Sequence, residues 1–492
     1  MRTIALLIGT LAAVGCPCLS AAQTSCDAMG YLSDTIKDPK TTLLALNVLR
    51  ATGDSELLPL FSRGLQSRVP EIRMYGVSSL AELAGKGAAD QLVKPLLEDE
   101  DMRVRSAALA RLVEMDAAKP QHLLQAMEEG DEKVRCLAAG ALVNMGKGQA
   151  ARQTLEELTK SANTATAGMA SLSLMKLGQK EYAAGLTELV EDPDTSELVL
   201  ALWCEQVEDQ EIKAAAPIVE KIATSKRSDD LKVRAFKAAL TVSGERGVVL
   251  LYNAIDASAN PVYRIRLLKM LSERKDSAAP LRTLARGTGP VAGVAKFELA
   301  RARGGAVATR YAEEAVDAGH LVMVAYVISR AAADVEKDAN AATFYVPALV
   351  KFLNALDGRE KSLGPQHMHA SMATQVLVDI GAADGIEAVK KLLAARYGAR
   401  TRAVTMGLLR VKSKIAAELA EPLLESPYPA LARDAALAMG RFGHKVARPT
   451  LAGVVNSAKR DGAALACLAS WQILKIDGET KPAAKTLATV LP

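Results

Sequence analysis

The sequence predicts an all-α chain wound as a right-handed α-α solenoid of about 13 stacked helix pairs. Three observations predict it. The chain repeats itself every 30 to 32 residues from near residue 40 almost to its end. Each copy carries an apolar stripe of helical period. No convincing run alternates apolar and polar residues as a half-buried strand would. The repeat is plainest in EDEDMRVRSAALARLVEM (98–115), EGDEKVRCLAAGALVNMG (129–146) and RSDDLKVRAFKAALTVSG (227–244), and its arginine recurs at Arg73, Arg105, Arg135, Arg234, Arg264, Arg402 and Arg433.

Within a unit the second helix is the easier to read. Val134, Leu137, Ala138, Ala141, Leu142 and Met145 fall at i, i+3, i+4, i+7, i+8 and i+11, which is one face of a 3.6-residue helix. Asp101, Asp131, Asp230 and Asn260 stand four residues before the repeated arginine, where a short side-chain oxygen can accept a bond from a first-turn amide. Pro261 follows Asn260, and proline's fixed φ suits a helix start. Gly146, Gly178, Gly244 and Gly304 end the pattern as C′ glycines. The first helix of each pair is read in QLVKPLLED (91–99), HLLQAMEEGD (122–131), GLTELVEDPD (185–194), PIVEKIATS (217–225) and VVLLYNAIDAS (248–258). A single pair cannot bury both of its apolar faces, so the copies must stack.

The motif Asp-x-x-Val-Arg-x-x-Ala-Ala-x-Ala-Leu, complete at Asp131–Leu142 and weaker at Asp101–Leu112, resembles the HEAT repeat family. The match is to the short bacterial repeat of the phycobilisome-lyase type. The resemblance implies that Asp and Arg residues pair as rungs along the stack, here Asp101, Arg105, Asp131, Arg135, Asp230 and Arg234. Ala167 and Val294 stand where the arginine is expected, so the ladder should be interrupted near 160–210 and 290–330.

Composition and termini bound the setting. Arg2, the apolar run from Ile4 to Val14 and Ser20-Ala21-Ala22 read as a signal peptide over 1–22 with a mature start at Gln23. Ala13-Val14-Gly15-Cys16 also resembles a lipoprotein box, so a membrane association is expected only through a lipid on Cys16. After such cleavage Cys26, Cys136, Cys204 and Cys467 remain, dispersed over different repeats rather than forming a disulfide framework. Residues 23–230 carry a net charge of −10 and residues 231–492 one of +14. A basic half diluted over many repeats, in a chain with only 4% aromatic residues, argues against a nucleic-acid partner.

The search for chemistry finds no catalytic, cofactor or metal signature. There is no HExxH, P-loop or GxSxG. His367 and His369 are two apart, and on a helix such residues face different sides. The organisation expected is a repeat array over 23–332, an irregular or enlarged unit over 333–370 and a second array over 371–492. The irregular unit gathers Phe344, Tyr345, Phe352, Arg359, Lys361, His367 and His369 in a chain poor in aromatics, and is expected to bind a protein or peptide partner. The function expected is a non-catalytic exported scaffold of the bacterial envelope. The alternatives are a bilin-lyase-like enzyme, which the export signal disfavours, and a structural envelope lipoprotein.

Overall fold

The computed structural model describes residues 27–38, 40–274, 277–317, 321–356, 366–394, 398–457 and 462–491. The expected leader 1–22, Cys16, Cys26, Arg359 and Lys361 lie outside the described residues. Those described form α-helices and short 3-10 turns, with no strand among them, as the sequence predicts for an α-α solenoid. They gather into two compact units, one of residues up to Val69 together with Thr288–Pro492, the other of Pro70–Gly287.

In the Pro70–Gly287 unit, the second helices Pro70–Ala84, Met102–Glu114, Glu132–Asn144, Thr164–Lys176, Glu197–Asp209, Asp229–Val242 and Pro261–Ser272 stack side by side. First helices, among them Ala89–Glu98, Pro120–Glu129, Ala183–Glu191 and Ala216–Ala223, make the other layer. The predicted stripe faces inward. Val134, Ala138, Ala141 and Leu142 are buried, and Leu137 and Met145 are half-buried.

Helix ends follow the local chemistry. Asp101 accepts from the Arg103 amide at 2.8 Å, and Asp131 from those of Lys133 and Val134 at 2.9 and 3.2 Å. Asn260 accepts likewise from Val262 and Tyr263. Bonds from the Arg103 side chain and amide pull the Asp101 carboxyl down to about 2. Asp230 is a correction: the cap of Asp229–Val242 is Ser228, accepting from the Leu231 amide at 3.3 Å, and Asp230 sits inside the first turn. Two acids follow Ser228, and the hydroxyl two residues upstream takes the non-helical position. At Gly146, with φ 72°, the Lys147 amide reaches Leu142 O at 2.8 Å and the Gly146 amide reaches Val143 O at 3.1 Å. This Schellman geometry satisfies the last carbonyls, and only glycine adopts it without strain.

In the other unit, Leu321–Lys337, Gln366–Ile380, Gly398–Leu408, Pro429–Gly440 and Ala463–Asp477 form the second-helix layer. The N-terminal helices then join the C-terminal ones. Ala28–Lys37 and Thr42–Ala51 pack on Ala463–Asp477, and Leu58–Gly64 packs on Thr480–Val490. Leu32, Ile36, Leu46, Leu49, Leu57, Leu60 and Phe61 are buried in this junction region. The last apolar face of a stack would otherwise meet water; here the helices within 28–64 cover it.

Within 333–370, the described residues form the end of the long second helix Leu321–Lys337, the 3-10 turn Thr343–Tyr345, the helix Val346–Asn354 and the start of Gln366–Ile380.

Candidate binding cavity

The repeated arginines serve the stack. Arg105 donates to the carbonyls of Asp99 and Glu100 at 2.8 and 3.2 Å, and reaches Asp131 of the next repeat at 3.6 Å. Arg73 forms a two-point pair with Asp99 at 2.7 and 2.8 Å. Arg135 donates to Met127 O at 3.2 Å and to Glu157 at 2.8 Å, Arg234 pairs with Glu205, and Asp230 with Arg266 at 2.5 Å. Guanidinium groups thus occupy carbonyls that a helix end leaves bare, and bridge to a neighbouring repeat. The partners change from rung to rung. Ala167 stands in place of the arginine, and at the adjacent Gly168 the ring of Trp203, from the next repeat, packs against the helix.

The expected partner site at 333–370 is partly overturned. Tyr345 and Phe352 are buried, at 0% and 4% exposure, and cannot meet a partner. Tyr345 stacks on Phe344 at 4.1 Å between centroids and tilts against Phe297 at 6.0 Å. Its hydroxyl donates to Asp334 at 2.7 Å. Asp334 also meets Arg301 at 3.3 Å, and Arg301 and Arg330 both hold Glu298 at 2.9 Å. The aromatics gather because they fill this core around a buried ionic network. Phe344 is half-buried, as are His367 and His369 on the helix Gln366–Ile380, where burial pushes both imidazoles to lower pKa.

A cavity of about 620 Å³ opens instead along the second-helix layer of the same unit. Consecutive second helices and the residues just after them supply its lining: Met372 and Gln375, Met406 and Arg410, Leu437 and Arg441, then Leu468, Trp471 and Lys475. The loop Thr52–Ser55 closes one side. Asp54 fixes that loop twice. One carboxylate oxygen accepts from the Glu56 amide at 3.1 Å, the other from Trp471 Nε1 at 3.3 Å, with Lys475 3.9 Å away.

The cations around the cavity are unequally satisfied. Arg441 donates to the carbonyls of Leu409 and Val411 at the end of Gly398–Leu408. Asp379, whose carboxyl burial pushes up in pKa, accepts from the Lys412 amide at 2.8 Å. Arg410 is half-buried, burial lowers its pKa, and its side chain has no hydrogen bond or ion pair among the described residues. Arg410, Arg441 and Gln472 are 31 residues apart, so the repeat itself sets polar groups at one end of the layer. That spacing was a usable signal. Asp54 against Trp471, 417 residues apart, had none.

Among the described residues, no group of three or more His, Cys, Asp or Glu is placed to hold a metal ion. No described helix is long and apolar enough to cross a membrane.

No curated protein matches the chain. Solved structures similar to it include the karyopherin Kap121p, crystallised bound to the SUMO protease Ulp1p, at a TM-score of 0.33 and 12% identity. That match covers 89% of this chain and 58% of the karyopherin, so the chain spans little more than half its length. A chain from a homology model of the full-length AP-3 complex in an intermediate open conformation gives a TM-score of 0.23 and 11% identity, covering 88% of this chain and 94% of that one. The model of HEAT repeats matches residues 120–203. The chain is an α-α solenoid that carries HEAT repeats over residues 120–203.

Proposed function

We propose that the protein is a non-catalytic scaffold that holds a segment of a protein partner in the cavity beside Trp471. The observation that carries this reading is the cavity's build. Its size falls in the range of roughly 300–1,000 Å³ usual for binding pockets. Methionine, leucine and aromatic side chains line it together with polar and charged ones, among them Gln375, Arg410, Lys412, Arg441 and Lys475. Methionine and aromatic surfaces adapt to and anchor protein partners. A photo-crosslinking residue in place of Met372 tests it, with one in place of the exposed Val249 as control. In envelope extract, a discrete polypeptide adduct should form at 372 and not at 249. Equal yields at both positions, or none at 372, would overturn the reading.

Arg2, the Ile4–Val14 run and Ser20-Ala21-Ala22 support export, with the partner in the bacterial envelope. Mass spectrometry of the mature chain should find Gln23 at its start. A diacylated Cys16 would make it an anchored lipoprotein, and a retained Met1 would overturn export altogether.

A further inference from the structure

We infer that the cavity recognises the free C-terminal carboxylate of a peptide chain whose last side chain is large and apolar; this rests on the protein-binding reading above. The lining brings Arg410, Lys412, Arg441 and Lys475 against only Asp54 and Glu336. Neighbouring groups already engage several of these. Arg441 is held by the carbonyls of Leu409 and Val411, and Lys475 faces Asp54. Asp379 lies next to Lys412 through that residue's amide.

Arg410 is the guanidinium not held in this way. It gives up part of its hydration by half-burial and has no acceptor among the described residues in return. A guanidinium is a planar fork of donors that matches a carboxylate in two-point geometry. An anionic ligand group at Arg410 would supply the missing acceptors, with Lys412, exposed beside it, adding attraction at long range.

The rest of the lining sets what the carboxylate must be attached to. Met372, Phe442 and Leu468, all half-buried, are the apolar side chains a ligand can reach, over a floor of the buried Met406, Leu437 and Trp471. An acid bearing only hydroxyls or further charges would desolvate them without gain. The shared chemistry is therefore a carboxylate on an apolar body, which either a chain terminus or a free aliphatic acid could provide. Ser55 is exposed at the space, and Gln375 beside it bonds Asp379 with one edge of its amide and keeps the other, while Leu49 O and the Asp54 amide take up the Thr52 hydroxyl. Ser55 and Gln375 give hydrogen-bonding edges that a peptide backbone uses and a hydrocarbon tail does not, and this favours the chain terminus. An internal Glu or Asp fits less well, because its own side chain carries the charge and leaves no apolar group beside it.

The test is fluorescence anisotropy on the full chain, with N-terminally labelled hexapeptides Gly-Ser-Gly-Ser-Phe-Leu. One ends in a free carboxylate, one in a C-terminal amide, and a third replaces the last Leu by Ser. The free acid should bind at least tenfold more tightly than the amide and than the Ser-ended acid. Arg410→Gln should erase the preference for acid over amide. Met372→Glu, which sets an anion in the cavity at a half-buried position, should weaken the acid more than the amide. Circular dichroism checks that each variant keeps its helices, and the acid–amide comparison on the unaltered chain stands without either.

Acid and amide binding equally would overturn carboxylate recognition and leave the protein-binding reading intact. If decanoate binds and none of the peptides does, a free acid is the ligand and the peptide terminus is overturned. Absence of binding by all of these probes overturns the carboxylate inference, and the adduct at position 372 then decides the broader reading by itself.

Discussion

At the residue scale, this fold turns on how closely neighbouring second helices approach. Gly168 and Trp203 show the balance. A glycine inside a helix normally costs about 1 kcal/mol relative to alanine, so Gly→Ala should stabilise wherever there is room. At Gly185, in the helix Ala183–Glu191, nothing lies within 4 Å of an added Cβ. At Gly168 the same atom would stand 2.2 Å from Cε2 and Cζ2 of Trp203, a rigid ring that is itself fully buried. Overpacking of this kind costs roughly 1–3 kcal/mol and outweighs the propensity gain. Gly185→Ala should raise the melting temperature or leave it unchanged, while Gly168→Ala should lower it; thermal melts of the two variants check the opposite signs. The same crowding makes the thiols inert. Burial pushes Cys136, Cys204 and Cys467 up to about 12, and all three are free.

At the element scale, what the sequence showed and what it hid separate by range. Helix stripes, the caps at Asp101, Asp131 and Asn260, and the left-handed glycines depend on residues within a turn or two of each other, and these were legible. The aromatics at 344–352 were legible as a cluster but not as core, because their neighbours Phe297 and Asp334 belong to other helices. The cover of N-terminal helices over Ala463–Asp477 and Thr480–Val490 was hidden for the same reason, as no local pattern records a contact spanning most of the chain. It leads to a prediction. Removing residues 28–64 uncovers Ala463–Asp477 and strips Trp471 Nε1 of Asp54. Exposed apolar surface costs about 25 cal/mol per Å². The shortened chain should therefore melt lower, bind the dye ANS and show red-shifted tryptophan emission. An unchanged melt with unchanged emission would mean that the C-terminal helices hold without their cover.

At the scale of the whole molecule, stability in each unit is a sum over interfaces between successive repeats, because most contacts run between neighbours in the stack. The charge asymmetry, −10 over residues 23–230 and +14 over residues 231–492, is a property of solvated faces laid over that plan and does not decide it. Leu142 is the sharpest probe of the plan. It is fully buried in Glu132–Asn144, whose neighbours in the layer are Met102–Glu114 and Thr164–Lys176. Leu142→Ala removes three side-chain carbons and leaves a cavity, which costs roughly 2–5 kcal/mol. In a compact globule with one shared core that loss would lower protection everywhere, since every amide would exchange through the same global opening. In a stack the loss is charged to the interfaces that Leu142 touches. Hydrogen exchange followed by mass spectrometry should quicken in 102–114, 132–144 and 164–176, and fade with distance toward 261–272. A uniform increase across 70–287 would show that these repeats unfold as one cooperative body, and nearest-neighbour stacking would not describe them.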